Sequence, residues 1–123
     1  MKEEKNLTGY PSIDKPWLKF YPPSALEKEI PQKTAYSFVY DKQKENQSAT
    51  ALEYFGTHIS YRKVFDMIEQ IARSFKKLGV QSGDIVTLAL PTMPETVYIF
   101  YALNRIGAIS NLIDPRLQET EIL

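Results

Sequence analysis

The chain has 123 residues, with 15 basic and 15 acidic side chains, 43% hydrophobic residues and 24% charged ones, the balance of an ordinary folded domain with a core of its own. Charge is spread evenly, eight of each sign in residues 1–60 and seven of each in 61–123, so no basic patch points to a nucleic acid or an anionic membrane as partner. Cysteine is absent, which removes disulfides, zinc–thiolate sites and thiol nucleophiles from consideration and fits a reducing compartment.

The first residues, MKEEKNLTGY, have no apolar run behind their charges and do not read as a secretory leader. The longest apolar run, Val97–Leu103, is too short to span a bilayer. A cytoplasmic location without a transmembrane segment is expected.

Residues 1–23 read as an arm, since Pro11, Pro16, Pro22 and Pro23 are interleaved with Tyr10, Trp17, Phe20 and Tyr21. Repeated proline disfavours regular helix and favours extended chain. So many aromatic rings need a surface, either on the same chain or on a second body. Ser24–Ile30 reads as a short helix capped by Ser24 and ended by Pro31. With the arm it makes a first segment, residues 1–33. An α/β region follows from 34 to 123.

Thr34–Tyr40 is aromatic and β-branched and reads as a strand. Asp41–Thr50 is polar and reads as a loop. ALEYF and HIS flank Gly56-Thr57, a hairpin signal. Tyr61–Gly79 is the clearest helix: Val64, Ile68, Ile71, Phe75 and Leu78 recur at spacings of four and three and line one face. Ser60 is its expected N-cap. Gly79 lies where a left-handed residue closes the helix and lets Val80 pack back.

Gly79–Asp84 is a turn, with Asp84 in turn chemistry. Ile85–Leu90 reads as a buried strand. Thr92–Glu95 has the form of a capping box, with Pro94 in the first turn of the next helix. That helix runs to about Ile106 and is apolar nearly all round, so it is expected to be buried on several sides. Ala108–Ile113 reads as a second strand. Strand, helix and strand make a βαβ unit of about 30 residues, with parallel strands. Gly107 is the joint, where the chain must take a left-handed conformation that glycine adopts cheaply. Ala108 lets the strand leave close beside the helix. Asp114, before Pro115, is placed to cap the next turn.

Local chemistry assigns no catalytic, cofactor-binding or metal-binding residue. There is no phosphate-binding Gly-x-x-x-x-Gly-Lys sequence and no Gly-x-Gly-x-x-Gly after a strand. Ser60, Ser74, Ser82 and Ser110 lack a nucleophile elbow. His58, the one histidine, falls in the hairpin with no second ligand nearby.

Three ordered patterns go further. ISYRKV (Ile59–Val64), IARSFKKLGVQSGDIVTLALPTMPETV (Ile71–Val97) and LNRIGAISNLIDP (Leu103–Pro115) resemble successive segments of the adenylate-forming (AMP-binding) superfamily, which includes acyl-CoA synthetases. Ser60, Tyr61, Gly79, Gly83, Asp84, Gly107, Ala108, Asp114 and Pro115 carry the resemblance as structural motif residues. Thr92, Asn104, Arg105, Ser110 and Asn111 depart from the usual pattern. The Pro-rich start is more like that of a bacterial acyl-CoA synthetase.

The resemblance implies an α/β fold, the N-terminal part of the ligases' large domain, with a mainly parallel sheet flanked by helices plus a β-hairpin. It also implies an ATP-dependent carboxylate–CoA ligase as parent, using ATP, Mg²⁺ and coenzyme A through motifs that lie outside this segment. Gln118–Leu123 reads as the opening of a helix, so the chain is expected to be an inactive fragment whose partner is the remainder of the ligase. Apolar surface left on Val97–Leu103 and on the two parallel strands would favour self-association. The competing reading is a free-standing, non-catalytic α/β binding module.

Overall fold

The computed structural model describes residues 7–117. The chain falls into two units, residues 1–31 and 32–123.

The first unit is a string of single turns: α1 (Pro11–Asp14), a 3₁₀ turn (Pro16–Phe20) and α2 (Pro23–Leu26). This corrects the expectation of extended chain. Each turn opens on a proline, which is tolerated at the first helical position because that N–H has no intrahelical partner anyway. Pro22, not Ser24, precedes α2, and the helix ends at Leu26, well short of Ile30. Asp14 closes a local loop by accepting the Thr8 and Gly9 N–H groups at 2.9 Å each and the Thr8 hydroxyl at 2.8 Å. The Thr8 N–H first, with the Thr8 hydroxyl and Gly9 N–H, holds its carboxyl below the ordinary value against the opposing effect of burial. Tyr10, Trp17, Phe20 and Tyr21 are all exposed.

The second unit is mixed α/β. In chain order it contains α3 (Ala35–Gln43), β1 (Thr50–Tyr54), β2 (Thr57–Ser60), α4 (Tyr61–Lys77), β3 (Ile85–Leu88), α5 (Pro94–Ile106) and β4 (Ile109–Leu112). Among the described residues β1 and β2 form an antiparallel pair, and β3 and β4 a parallel pair. The unit therefore has the expected β-hairpin and the expected parallel pair, as two small two-stranded sheets rather than one mainly parallel sheet.

Residues 35–40, read as strand, are helix. Thr34 caps α3 through its hydroxyl, which accepts the Ser37 N–H at 3.1 Å. Helical spacing then brings Tyr36 and Val39 to the core, with Tyr40 stacked on Tyr36 at 5.8 Å. The β1–β2 turn is Phe55-Gly56, one residue earlier than the sequence signal suggested. Both have positive φ, 46° and 77°, as a type I′ turn requires. Phe55 is 90% exposed there.

Helix α4 begins as expected, with Ser60 Oγ accepting the Lys63 N–H at 3.3 Å. Its buried face is Val64, Phe65, Ile68 and Ala72, flanked by half-buried Ile71 and Phe75. Leu78, expected on that face, is 80% exposed. It is the C-cap residue of α4, where the chain leaves the helix.

Helix α5 is buried on two sides. Tyr98 and Ala102 join the α4 face, while Leu103 packs with Leu88 and Ala108 of the sheet segment. Ala72 and Ala102, at 2% and 0% exposure, keep that α4–α5 core free of bulk. Full burial of Ile68 and of Leu103 contributes about 1.5–3 kcal/mol each. The capping box does not form: Met93 is the N-cap and makes no side-chain bond, and α5 starts at Pro94. Thr96 instead donates its hydroxyl to the Pro91 carbonyl at 2.6 Å. Val97–Leu103 is buried or half-buried, contrary to the expectation that it would be uncovered.

Strands β3 and β4 pair in the register Ile85↔Ile109, Val86↔Ser110, Thr87↔Asn111 and Leu88↔Leu112. Val86 and Leu88 pack with the core beneath α5. Alternation puts Ile85, Ile109, Thr87 and Asn111 on the opposite face. Ile85 and Ile109 are 69% and 54% exposed, and Asn111 donates to the Thr87 hydroxyl at 3.3 Å. The expected helix at Gln118–Leu123 lies outside the described residues.

Candidate functional site

The motif residues sort to three places. Ser60 and Tyr61 lie at the β2–α4 junction, where the Tyr61 N–H donates to the Ala49 carbonyl at 3.0 Å. Gly79, Gly83, Asp84, Gly107 and Ala108 lie about the starts of β3 and β4. Asp114 and Pro115 follow the end of β4.

The second group forms a clasp. Helices α4 and α5 end in the same Schellman motif. The Val80 N–H donates to Phe75 O and the Gly79 N–H to Lys76 O. The Ala108 N–H donates to Leu103 O and the Gly107 N–H to Asn104 O. Between these ends the Asp84 carboxylate accepts the Gln81 N–H at 2.8 Å and fixes the turn. The Gly83 N–H donates to the Gly107 carbonyl at 2.8 Å, and the Ile109 N–H to the Asp84 carbonyl at 2.7 Å. The two turns thus hold the strands in register. Gly107 has φ 83°, and a Cβ built on it would lie 2.4 Å from Ser82 Oγ and 3.1 Å from Ser82 Cβ. Its need for glycine is therefore both conformational and steric; only the first was legible in the sequence.

Beyond the carboxyl ends of the strands lies a cleft of about 570 Å³, the side of a parallel sheet on which ligands bind in open α/β folds. Its walls include Thr92, Met93, Thr96, Ile113, Asp114 and Arg116. Arg116 grips Asp114 with two side-chain bonds, Nε to Oδ1 at 3.0 Å and Nη2 to Oδ2 at 2.7 Å. The Arg116 N–H adds a third at 2.9 Å. Those bonds, the guanidinium first, hold the Asp114 carboxyl below its ordinary value.

The chemistry on offer is limited. Among the described residues no cluster of three His, Asp or Glu side chains could hold a metal ion. His58 is exposed on β2, with Nδ1 3.9 Å from Glu53 across the hairpin. Among the described hydrogen bonds a hydroxyl meets a carboxylate at Thr8–Asp14 and Tyr36–Glu69, and neither pair lies in the cleft.

The residues that depart from the sequence pattern have defined positions. Asn104 Oδ1 accepts the Tyr36 N–H at 2.8 Å, satisfying a free donor in the first turn of α3. Arg105 pairs with Glu69 of α4 and lies over the Tyr36 ring, 5.6 Å from its centroid. Glu69 also accepts the Tyr36 hydroxyl at 3.2 Å. Burial first, then the neighbouring Glu69, push the Tyr36 phenol up against the pull of Arg105. This network ties α3, α4 and α5 together across 68 residues of sequence, with no local signal to announce it.

The chain resembles known ligases in sequence. It is 29% identical over 109 residues to the long-chain-fatty-acid–CoA ligase of Bacillus subtilis, covering 88% of this chain and 20% of the relative. It is 31% identical over 119 residues to the mouse mitochondrial acyl-CoA synthetase short-chain family member 3, covering 80% of this chain and 16% of the relative. The chain thus spans a fifth or less of the length of these two relatives. Its fold superposes on the NpsA N-terminal subdomain of Klebsiella oxytoca, solved with 3-hydroxyanthranilyl-AMSN, at a TM-score of 0.70 and 22% identity. That match covers 73% of this chain and 23% of that one. The model of the family described as AMP-binding enzyme matches residues 39–123. With more than half of its length inside that match, the chain belongs to the AMP-binding enzyme family.

Proposed function

We propose that this chain is the N-terminal scaffold segment of an ATP-dependent carboxylate–CoA ligase and does not itself perform the chemistry. The observation that carries the reading is the β3–α5–β4 reversal, with Gly107 as its joint, inside the region matched by the family. In the whole enzyme a carboxylate oxygen would attack the α-phosphorus of ATP and expel pyrophosphate. A thiol, that of coenzyme A, would then attack the acyl carbonyl and expel AMP. The described residues do not fit the ATP–Mg²⁺ group: they contain no metal-binding cluster, and the Arg116 guanidinium in the cleft is held by Asp114. On this reading they take no part in either chemical step. Their part is to hold the two parallel strands in register and to shape the rim at their carboxyl ends.

Relatives named for short-chain and for long-chain acids support an aliphatic carboxylate as substrate and a place in fatty-acid metabolism. A cytoplasmic location is part of the proposal, supported by a cysteine-free sequence that fits a reducing compartment. Among the described residues, no helix is long and apolar enough to cross a membrane.

ATP–pyrophosphate exchange by the purified 123-residue chain, with acetate and with a long-chain fatty acid, is expected to stay at the blank. Exchange above it would overturn the scaffold reading. The reading frame after Leu123 tests the parentage: a Ser/Thr/Gly-rich loop followed by lysine supports the ligase, and an immediate stop codon supports a free-standing binding module. The exposed Tyr10, Trp17, Phe20 and Tyr21 favour that second reading.

On the ligase reading, the rest of the enzyme covers Ile85 and Ile109. Alone, the chain would cover them with a second copy. Light scattering at rising concentration is expected to show dimers or larger species, and a strictly monomeric profile would count against this use of the face.

A further inference from the structure

Between α3, β1, α4 and α5 lies an apolar pocket of about 230 Å³ that is partly open to solvent. No residue lining it is charged. Its inner wall, Val64, Phe65 and Ile68 of α4, is among the most buried surface of the molecule. Native interiors leave few voids larger than a water molecule. An engineered cavity of about 150 Å³ with aliphatic and aromatic walls, in another protein, stays dry and takes up benzene. The present pocket is larger and has similar walls, although it is partly open where that cavity is sealed.

Its shape has an identifiable cause. Successive residues of a regular strand point to opposite faces, yet Ala51 and Leu52 both line the cavity. The strand register shifts between Thr50 and Leu52, and such an irregularity re-aims side chains. Ala51 fills its place with a methyl group alone. The walls are also suited to a flat guest. Phe65 meets Tyr36 edge-on, with centroids 6.4 Å apart and planes at 85°, and meets Tyr61 at 5.8 Å and 35°. Rings arranged in these ways offer both edges and faces to another ring. The Tyr36 hydroxyl is already engaged by Glu69.

We propose that this cavity is a binding site for one small, uncharged aromatic molecule, of the size range from benzene to indole. A charged ring is disfavoured, because its carboxylate would be desolvated without a partner. The site does not involve ATP or the cleft at Asp114, so it stands or falls separately from the ligase reading.

The test is a titration of the full 123-residue chain with toluene, indole and benzoate, followed by methyl NMR. Toluene and indole are expected to give saturable shifts at the methyls of Val64, Ile68 and Val97, with benzoate at least about tenfold weaker. Ala51→Leu fills the cavity from the strand side and is expected to weaken toluene binding by at least about tenfold, with the circular dichroism spectrum unchanged. Should that variant not fold, Val97→Phe fills the cavity from α5 and is expected to do the same. The proposal is overturned if toluene gives no saturable shift up to its solubility limit, if benzoate binds as well as toluene, or if a folded cavity-filled variant binds toluene as the parent does.

Discussion

The ends of α4 and α5 use one device in two settings. Both close with a Schellman motif on a left-handed glycine, Gly79 with φ 92° and Gly107 with φ 83°. A side chain added at Gly79 would enter open space, whereas one added at Gly107 would run into Ser82. The last turn of α4 presents Lys76, Lys77 and Leu78 to solvent. The last turn of α5 carries Asn104 to α3 and Arg105 to Glu69. The same backbone motif is thus a simple stop in one helix and part of a tertiary joint in the other.

Substitutions can separate these roles. Gly107→Ala is expected to have the largest effect, about 2–3 kcal/mol of lost stability, because a left-handed alanine and a crowded Cβ add together. The midpoint of urea unfolding, at unchanged slope, measures it. Asn104→Ala comes next at about 1–2 kcal/mol, since it removes the acceptor of a part-buried N–H. Faster hydrogen exchange at Tyr36 should accompany that loss. Gly79→Ala is expected to cost about 1 kcal/mol, the conformational term alone. An equal loss for Gly79→Ala and Gly107→Ala would show that Ser82 yields without penalty and would dissolve the contrast. The sharpest comparison is also the smallest effect: combining Ser82→Ala with Gly107→Ala should recover about 0.5–1 kcal/mol relative to additivity, read from a double-mutant cycle.

Which elements were legible follows from how far away their causes lie. Helix α4 declares itself locally, through a cap at Ser60, an apolar repeat and a glycine stop. The βαβ reversal does so too, because turn residues bound its strands. Helix α3 does not. Its composition is that of a strand, and one of its first-turn N–H groups is satisfied by Asn104, remote in sequence. Tertiary packing of Tyr36 and Val39 outweighs β propensity there. The expected capping box failed at Thr92 because proline favours the first helical position, which moves the N-cap one residue on to Met93 and starts the helix at Pro94. Of the site residues, the turn roles of Asp84 and Asp114 followed from their neighbours. The contact of Ser82 with Gly107 depends on two turns meeting in space and left no local trace. The cavity beside Ala51 was equally hidden, since a register shift in a strand has no fixed residue pattern.

The clasp at Gly107 has a kinetic side. The backbone hydrogen bonds that join its two strands, from the Gly83–Gly107 link to the Ile113 N–H on the Leu88 carbonyl at 3.1 Å, lie between Gly83 and Ile113. Parallel pairing across the length of α5 must close a loop before its contacts form, and it belongs to the slower-forming class of contacts. The reversal nonetheless depends on no distant segment to set its register, and it presents a finished two-stranded template to any strand laid against either edge.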